Sequence, residues 1–76
     1  MYVGTDLANA PLHTSLTLVE APESYRQRLS SLGLRVGTGF SLLSKTAGGG
    51  RVALVTGSRI ALGSSLLTQL RVELAN

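Results

Sequence analysis

The residues able to do acid–base or metal chemistry are few and scattered along this chain. The only candidates are His13 and four carboxylates at positions 6, 20, 23 and 73, and cysteine is absent. Nucleophilic catalysis needs a nucleophile, a base and an orienting group held together, and the Gly-x-Ser-x-Gly pattern of one large hydrolase class does not occur. We therefore predict that the chain is not an enzyme.

The same shortage of ligands argues against a metal centre. A stable site needs three or four ligands held in one place, usually from His, Cys and carboxylate side chains. His13 is a weak metal-ligand candidate, together with Asp6 or Glu20, and otherwise a solvent-exposed loop histidine. The ligand count does not support Fe²⁺ or another divalent cation, so no cofactor is predicted.

Length and composition indicate one small globular domain over residues 1–76. Hydrophobic residues make up 43% of the chain and charged residues only 14%, which excludes the disordered class. No apolar run reaches the roughly 18 residues of a membrane span, and the N-terminus lacks the pattern of a signal peptide. A small domain without cysteine fits a reducing compartment, so we expect a cytoplasmic protein.

The net charge of +3 comes from seven Lys and Arg residues spread singly along the sequence. A nucleic-acid-binding surface usually concentrates its cations in a patch or stripe, and three aromatic residues are too few for a base-stacking platform. We therefore expect no nucleic-acid partner. A basic RNA- or DNA-binding barrel remains an alternative, since a positive net charge attracts polyanions.

Most of the chain alternates between apolar and polar residues, as short strands do. This alternation predicts five strands, at residues 16–20, 38–45, 51–56, 59–62 and 69–74. In the last of them Leu70, Val72 and Leu74 are predicted to share one face. Gly57-Ser58 has the form of a two-residue type II′ hairpin turn, and residues 47–50, Ala-Gly-Gly-Gly, are predicted to form a flexible loop.

Residues 23–32 instead show helical spacing. Tyr25, Leu29 and Leu32 fall on one face of the predicted helix. Gly33 supplies a left-handed stop, and Leu34 is placed to contact Leu29 as in a Schellman cap.

Two shorter segments, residues 6–10 and 63–67, each suit a single helical turn, with Leu7 and Leu12 as core anchors near the first. Five short strands in so small a chain cover a core best by curling into a barrel, which also protects their edges. We therefore predict a mainly β fold: a small SH3-like five-stranded barrel with one α-helix after the first strand and a short helical turn before the last. An OB-like barrel is the nearest alternative.

The segment from Tyr25 to Thr38 resembles the signature of the bacterial ferrous iron transport protein A family (FeoA). That signature is a helix ending in Leu-Gly-Leu or Leu-Gly-Met, then two residues, then Gly and a strand. Residues 59–62 and 67–73 are also similar to the family's later elements, so the resemblance covers roughly residues 7–74. The loops at 47–50 and 63–66 depart from the family pattern, and partner contacts made by either loop would differ here.

The resemblance implies a small cytoplasmic accessory or regulatory protein of ferrous iron uptake. Its expected partner is the FeoB membrane permease, which has a cytosolic GTP-binding domain, so membrane contact would come only through the partner. A homo-oligomer also stays open. The same fold occurs as a C-terminal domain of metal-dependent repressors, which is a further alternative, although a chain that starts at Met1 without a helical DNA-binding part favours the free-standing form.

Three exposed cations are the predicted partner-binding residues. Arg26 and Arg28 belong to the predicted helix, and Arg35 follows its glycine stop. We expect these side chains to meet an acidic patch on the partner, since they lie between the apolar signature residues that keep the fold.

Overall fold

The computed structural model describes residues 4–74, and within them the chain forms six strands, two α-helices and two 3-10 turns. The strands are β1 (Thr5–Asp6), β2 (Leu16–Glu20), β3 (Gly39–Lys45), β4 (Arg51–Val55), β5 (Ser58–Leu62) and β6 (Arg71–Leu74). The helices are α1 (Glu23–Ser31) and α2 (Ser64–Leu67), and the 3-10 turns are Leu7–Asn9 and Ala47–Gly49. Among these residues no helix is long and apolar enough to cross a membrane.

The predicted helix, strands and helical turns are therefore each found, with ends that shift by one or two residues. The short strand β1 was not predicted. The predicted domain span of 1–76 extends beyond the described residues at both ends.

All six strands join one antiparallel sheet in the order β1-β6-β2-β3-β4-β5. The last strand, β6, lies between β1 and β2 and so joins the two halves of the chain. Among residues 4–74 the outer strands β1 and β5 do not pair with each other. The predicted count of five strands is thus too low by one, and within the described residues the predicted barrel is not closed between β1 and β5.

Helix α1 begins after Pro22 and carries Glu23 in its first turn, where the helix dipole favours a negative charge. Its Leu29 is buried and its Tyr25 packs partly buried against the core. Tyr25, Leu29 and Leu32 line one surface groove, which agrees with the predicted shared face, but the side chain of Leu32 is 44% exposed. The helix ends at Ser31, and Leu32 is its C-cap, with a φ of −92° and a ψ of 0°.

A Schellman cap ends α1, as the sequence predicts. The N–H of Leu34 donates to the carbonyl of Leu29 at 2.9 Å, and the N–H of Gly33 donates to the carbonyl of Ser30 at 3.0 Å. Gly33 has a φ of 90°, which L-residues with a Cβ rarely adopt. Leu29 and Leu34 are each 1% exposed, so the cap also completes an apolar contact of the core.

The core is one cluster of buried apolar residues contributed by the sheet, both helices and the first 3-10 turn. The predicted anchor Leu7 is fully buried, whereas Leu12 is only partly buried. Of the three leucine and valine side chains predicted to share one face of the last strand, Leu70 and Val72 are buried, whereas Leu74 at the end of β6 is 46% exposed. No polar or charged residue within positions 4–74 is buried, so the interior depends on apolar packing alone.

The turn between β4 and β5 differs from the prediction by one residue. Val55 pairs with Ser58, which leaves Thr56 and Gly57 as the two central residues, with φ values of 47° and 85°. Two positive φ values define a type I′ turn, so the predicted type II′ turn at Gly57-Ser58 is wrong. The type I′ turn matches the twist of the strands, but it forces the β-branched Thr56 into an unfavourable backbone region.

Replacing Gly33 by valine should lower the free energy of unfolding by about 1–2 kcal/mol, because a Cβ is disfavoured at this positive φ. Gly63 offers a matched control. It has a φ of −71°, and no heavy atom lies within 4 Å of a Cβ placed there. Urea denaturation of Gly33→Val and Gly63→Val compares the two sites, and equal midpoints would contradict the cap.

Replacing Thr56 by asparagine should raise the free energy of unfolding by about 1 kcal/mol, because asparagine tolerates positive φ and Asn-Gly is the preferred type I′ pair. Thr46→Asn is the control, since the exposed Thr46 has an extended backbone with a φ of −108°. Differential scanning calorimetry should show a higher Tm for Thr56→Asn alone. A lower Tm for that variant would show that the Thr56 side chain stabilises the turn.

Candidate functional site

A groove runs beside the C-terminal half of α1 and has a volume of about 230 Å³. We call it the α1 groove, and its lining residues are Leu18, Ala21, Arg26, Leu29, Ser30, Leu34, Arg35 and Val36. Its apolar floor is made by buried side chains, while Val36 at the rim is 52% exposed. An exposed apolar side chain next to an apolar floor is typical of a surface that a partner covers.

Two backbone turns shape the α1 groove. The Schellman cap turns the chain back at the end of α1, and residues 35–38 then form a second tight turn. Thr38 closes this turn through its N–H, which donates to the carbonyl of Arg35 at 2.9 Å, and its hydroxyl accepts from the N–H of Arg35 at 3.1 Å. The N–H of Gly37 donates to the carbonyl of Leu18 at 2.7 Å. The turn that carries Val36 is therefore held against β2 by the backbone hydrogen bonds of Gly37 and Thr38 with Leu18.

Two of the predicted partner-binding arginines flank this groove. The Nε of Arg26 donates to the carbonyl of Ala21 at 3.1 Å, and the Nε of Arg35 donates to the hydroxyl of Ser30 at 2.8 Å. Neither arginine forms a salt bridge within residues 4–74. Each guanidinium is thus oriented through its Nε, which leaves its two terminal nitrogens available to a carboxylate.

The third predicted arginine, Arg28, lies elsewhere. It lines a second groove of about 400 Å³ between α1, the end of β5 and α2, together with Tyr25, Leu32 and Leu66. The structure therefore brings Arg26 and Arg35 to one site and places Arg28 at another. A role of these arginines in partner binding stays a prediction.

His13 lies in the exposed loop before β2. It has a φ of 57°, and its backbone N–H donates to the carbonyl of Leu42 at 2.8 Å. Across the described part of the chain, no three His, Cys, Asp or Glu residues come together as a metal site would require. The residues around His13 therefore do not supply a donor set for a divalent cation.

Arg51 has a structural role that no sequence pattern indicates, since in the sequence it is one of seven dispersed cations. Its Nη1 donates to the carbonyls of Gly49 and Gly50 at 2.8 and 2.9 Å, and its Nη2 donates to the carbonyl of Ala8 at 3.1 Å. One guanidinium thus ties the loop before β4 to the first 3-10 turn. This arginine is used for structure and is not available to a partner in the way Arg35 is.

The family model of the FeoA domain matches residues 5–74. A solved structure of an iron uptake regulatory protein (FeoA) is 26% identical with a TM-score of 0.81, and the match covers 95% of this chain and 99% of that chain. A comparison with curated proteins gave no significant match.

Two further solved structures share the fold. A FeoA-like protein from Clostridium acetobutylicum is 20% identical with a TM-score of 0.81, covering 100% of this chain and 92% of that chain. ScaR with bound Zn²⁺ is 23% identical with a TM-score of 0.77, and the match covers 92% of this chain but only 36% of that chain. These likenesses confirm the predicted mainly β, SH3-like fold.

The rim of the α1 groove should contribute little to stability, in contrast to its floor. Arg35→Gln should lower the free energy of unfolding by less than about 1 kcal/mol, because it removes one exposed hydrogen bond. Leu34→Ala should cost about 2–5 kcal/mol, because it leaves a cavity in the core. Urea denaturation measures both. A loss at Arg35→Gln as large as that at Leu34→Ala would show that the rim holds the fold together.

Proposed function

Because the chain belongs to the FeoA domain family, we propose that it is an accessory or regulatory protein of ferrous iron uptake that binds the cytosolic part of an FeoB-type permease. Family membership over residues 5–74 connects the chain with iron uptake. The permease partner, the cytoplasmic location and the absence of enzymatic activity are parts of the proposal. In this scheme the protein meets the membrane only through its partner.

The α1 groove is the observation that supports a binding role most directly. Its floor is apolar and buried, its rim carries the half-exposed Val36, and Arg26 and Arg35 stand beside it without salt bridges in the described chain. Interfaces are enriched in such arginines next to well-packed apolar pockets. The same surface holds no pair of carboxylates and no histidine, so it is suited to docking and not to acid–base chemistry.

The geometry gives less support to the two alternatives, a nucleic-acid-binding barrel and a domain of a metal-dependent repressor. A polyanion surface needs its cations on one face, yet Arg28 lies at a different groove from Arg26 and Arg35, and Arg51 is engaged by three backbone carbonyls. For a metal-dependent repressor, the likeness to ScaR at 23% identity supports a shared fold alone.

Titration calorimetry with the full chain and the purified cytosolic domain of the cognate permease tests the proposal. We expect binding with a Kd in the range of roughly 1–50 µM, which corresponds to the modest surface that so small a domain offers. Deletion of the gene should change the rate of ferrous iron uptake by cells. A short RNA duplex and a DNA duplex serve as controls, and neither should bind.

The proposal is wrong if the permease domain shows no heat of binding at these concentrations and uptake is unchanged in the deletion strain. Binding of either duplex with an affinity that falls steeply with salt would instead favour the nucleic-acid alternative. Sedimentation of the chain alone also reports whether it forms a homo-oligomer.

A further inference from the structure

The α1 groove combines an apolar floor with two oriented arginine side chains, and together these define the chemistry of the ligand that it can bind. Its floor is formed by Leu18, Ala21, Leu29 and Leu34, each at most 4% exposed. Its sides are formed by two guanidinium groups whose Nε atoms are already held by hydrogen bonds to Ala21 and Ser30. An apolar pocket flanked by oriented cations is complementary to an apolar side chain that stands close to a carboxylate.

We propose that the α1 groove binds a short linear segment of the partner in which one large apolar side chain lies within two residues of an Asp or Glu. The apolar side chain enters between Leu18 and Leu34 and covers Val36. The carboxylate is bound by the terminal nitrogens of Arg35, with Arg26 on the opposite side. This inference rests on the proposed function, since it names the chemistry by which the partner is recognised.

The volume of the groove argues for a side chain and against a free small molecule. Small-molecule sites usually enclose ~300–1,000 Å³, and the α1 groove, at about 230 Å³, lies below that range. It is also open on one side and lies at the protein surface. A pocket of this kind fits a single anchoring residue of a longer chain, with the rest of the segment crossing the rim.

Charge complementarity indicates that the bound segment is acidic. The chain carries a net charge of +3 with only four carboxylates. The salt bridge that the described residues form joins Arg71 and Glu20 at 4.0 Å, on strands β6 and β2 and not at the groove rim. Arg26 and Arg35 therefore have no counter-charge among residues 4–74, and a neutral or basic segment would leave two cations uncompensated beside the interface.

A second copy of the chain is the competing occupant. Glu73 and the exposed Leu74 are adjacent at the end of β6. They therefore offer a carboxylate beside a large apolar side chain, as the proposed partner segment does. Docking of this segment into a neighbouring molecule would produce self-association in place of partner recognition. The test therefore includes the oligomeric state.

Selection from a displayed library of random twelve-residue peptides tests the proposal with the full chain as bait. We expect enriched peptides to share a Leu, Ile, Phe or Met within two residues of Asp or Glu. For one enriched peptide, fluorescence anisotropy should show about tenfold weaker binding to the Arg26→Gln/Arg35→Gln double variant, the loss expected for about 1.4 kcal/mol. Arg59→Gln is the matched control, because Arg59 is an exposed arginine of β5 that lines neither groove, and it should change the affinity less than twofold.

Three results would overturn the inference. The first is enrichment of peptides without an acidic residue, or no enrichment at all. The second is an equal loss at Arg59→Gln and at the double variant, and the third is concentration-dependent self-association of the chain that Leu74→Ser abolishes. The permease domain separates this inference from the proposed function. If the domain binds the double variant as tightly as the original chain, the proposed function stands and the groove assignment fails. If the peptides bind as expected but the permease domain does not, the groove assignment stands and the proposed function fails.

Discussion

The backbone hydrogen bond from the N–H of Leu34 to the carbonyl of Leu29 determines how the helix meets the sheet. It ends α1, turns the chain back towards β2, and brings the two leucine side chains together in the core. Because the chain turns back here, the N–H of Gly37 can donate to the carbonyl of Leu18. This hydrogen bond holds the turn at residues 35–38 against β2. The α1 groove is the space that these two turns leave between helix and strand. The element that stabilises the fold and the element that shapes the candidate site are therefore the same.

The hydrogen bonds of Arg26 and Arg35 lower the entropy cost of binding a partner in the α1 groove. Binding a flexible partner costs conformational entropy on both sides, and a long arginine side chain normally adds to that cost. Here the Nε atoms of Arg26 and Arg35 are already fixed by the carbonyl of Ala21 and the hydroxyl of Ser30. The remaining donors of each planar guanidinium then lie in one fixed plane, as a bidentate contact with a carboxylate requires. The two oriented guanidinium groups thus contribute to the specificity of binding, while the apolar floor of the groove supplies the apolar surface that is buried on association.

Most of the secondary structure could be predicted from the sequence, since alternation, helical spacing and the Gly33 stop are local signals. The β4–β5 turn could not, because strand pairing places Thr56 where its own preference would not put it. Arg26 and Arg28 are separated by about 200° around the helix, so helical spacing alone predicts that the two side chains lie at different grooves. The position of Arg35 beside Arg26 was not, since it depends on contacts between the turn after α1 and β2.

Strand β6 has a consequence for how the protein is made. It lies between β1 and β2, with Val72 opposite Thr5 and Leu74 opposite Leu16, so contacts of very large sequence separation form one side of the sheet. During synthesis the N-terminal strands emerge first and have no partner on these edges until Leu74 has been added. The β3-β4-β5 meander can pair locally in the meantime, whereas completion of the sheet should be slow. The nascent chain, with apolar strand edges open, is therefore the form most exposed to aggregation in the cell.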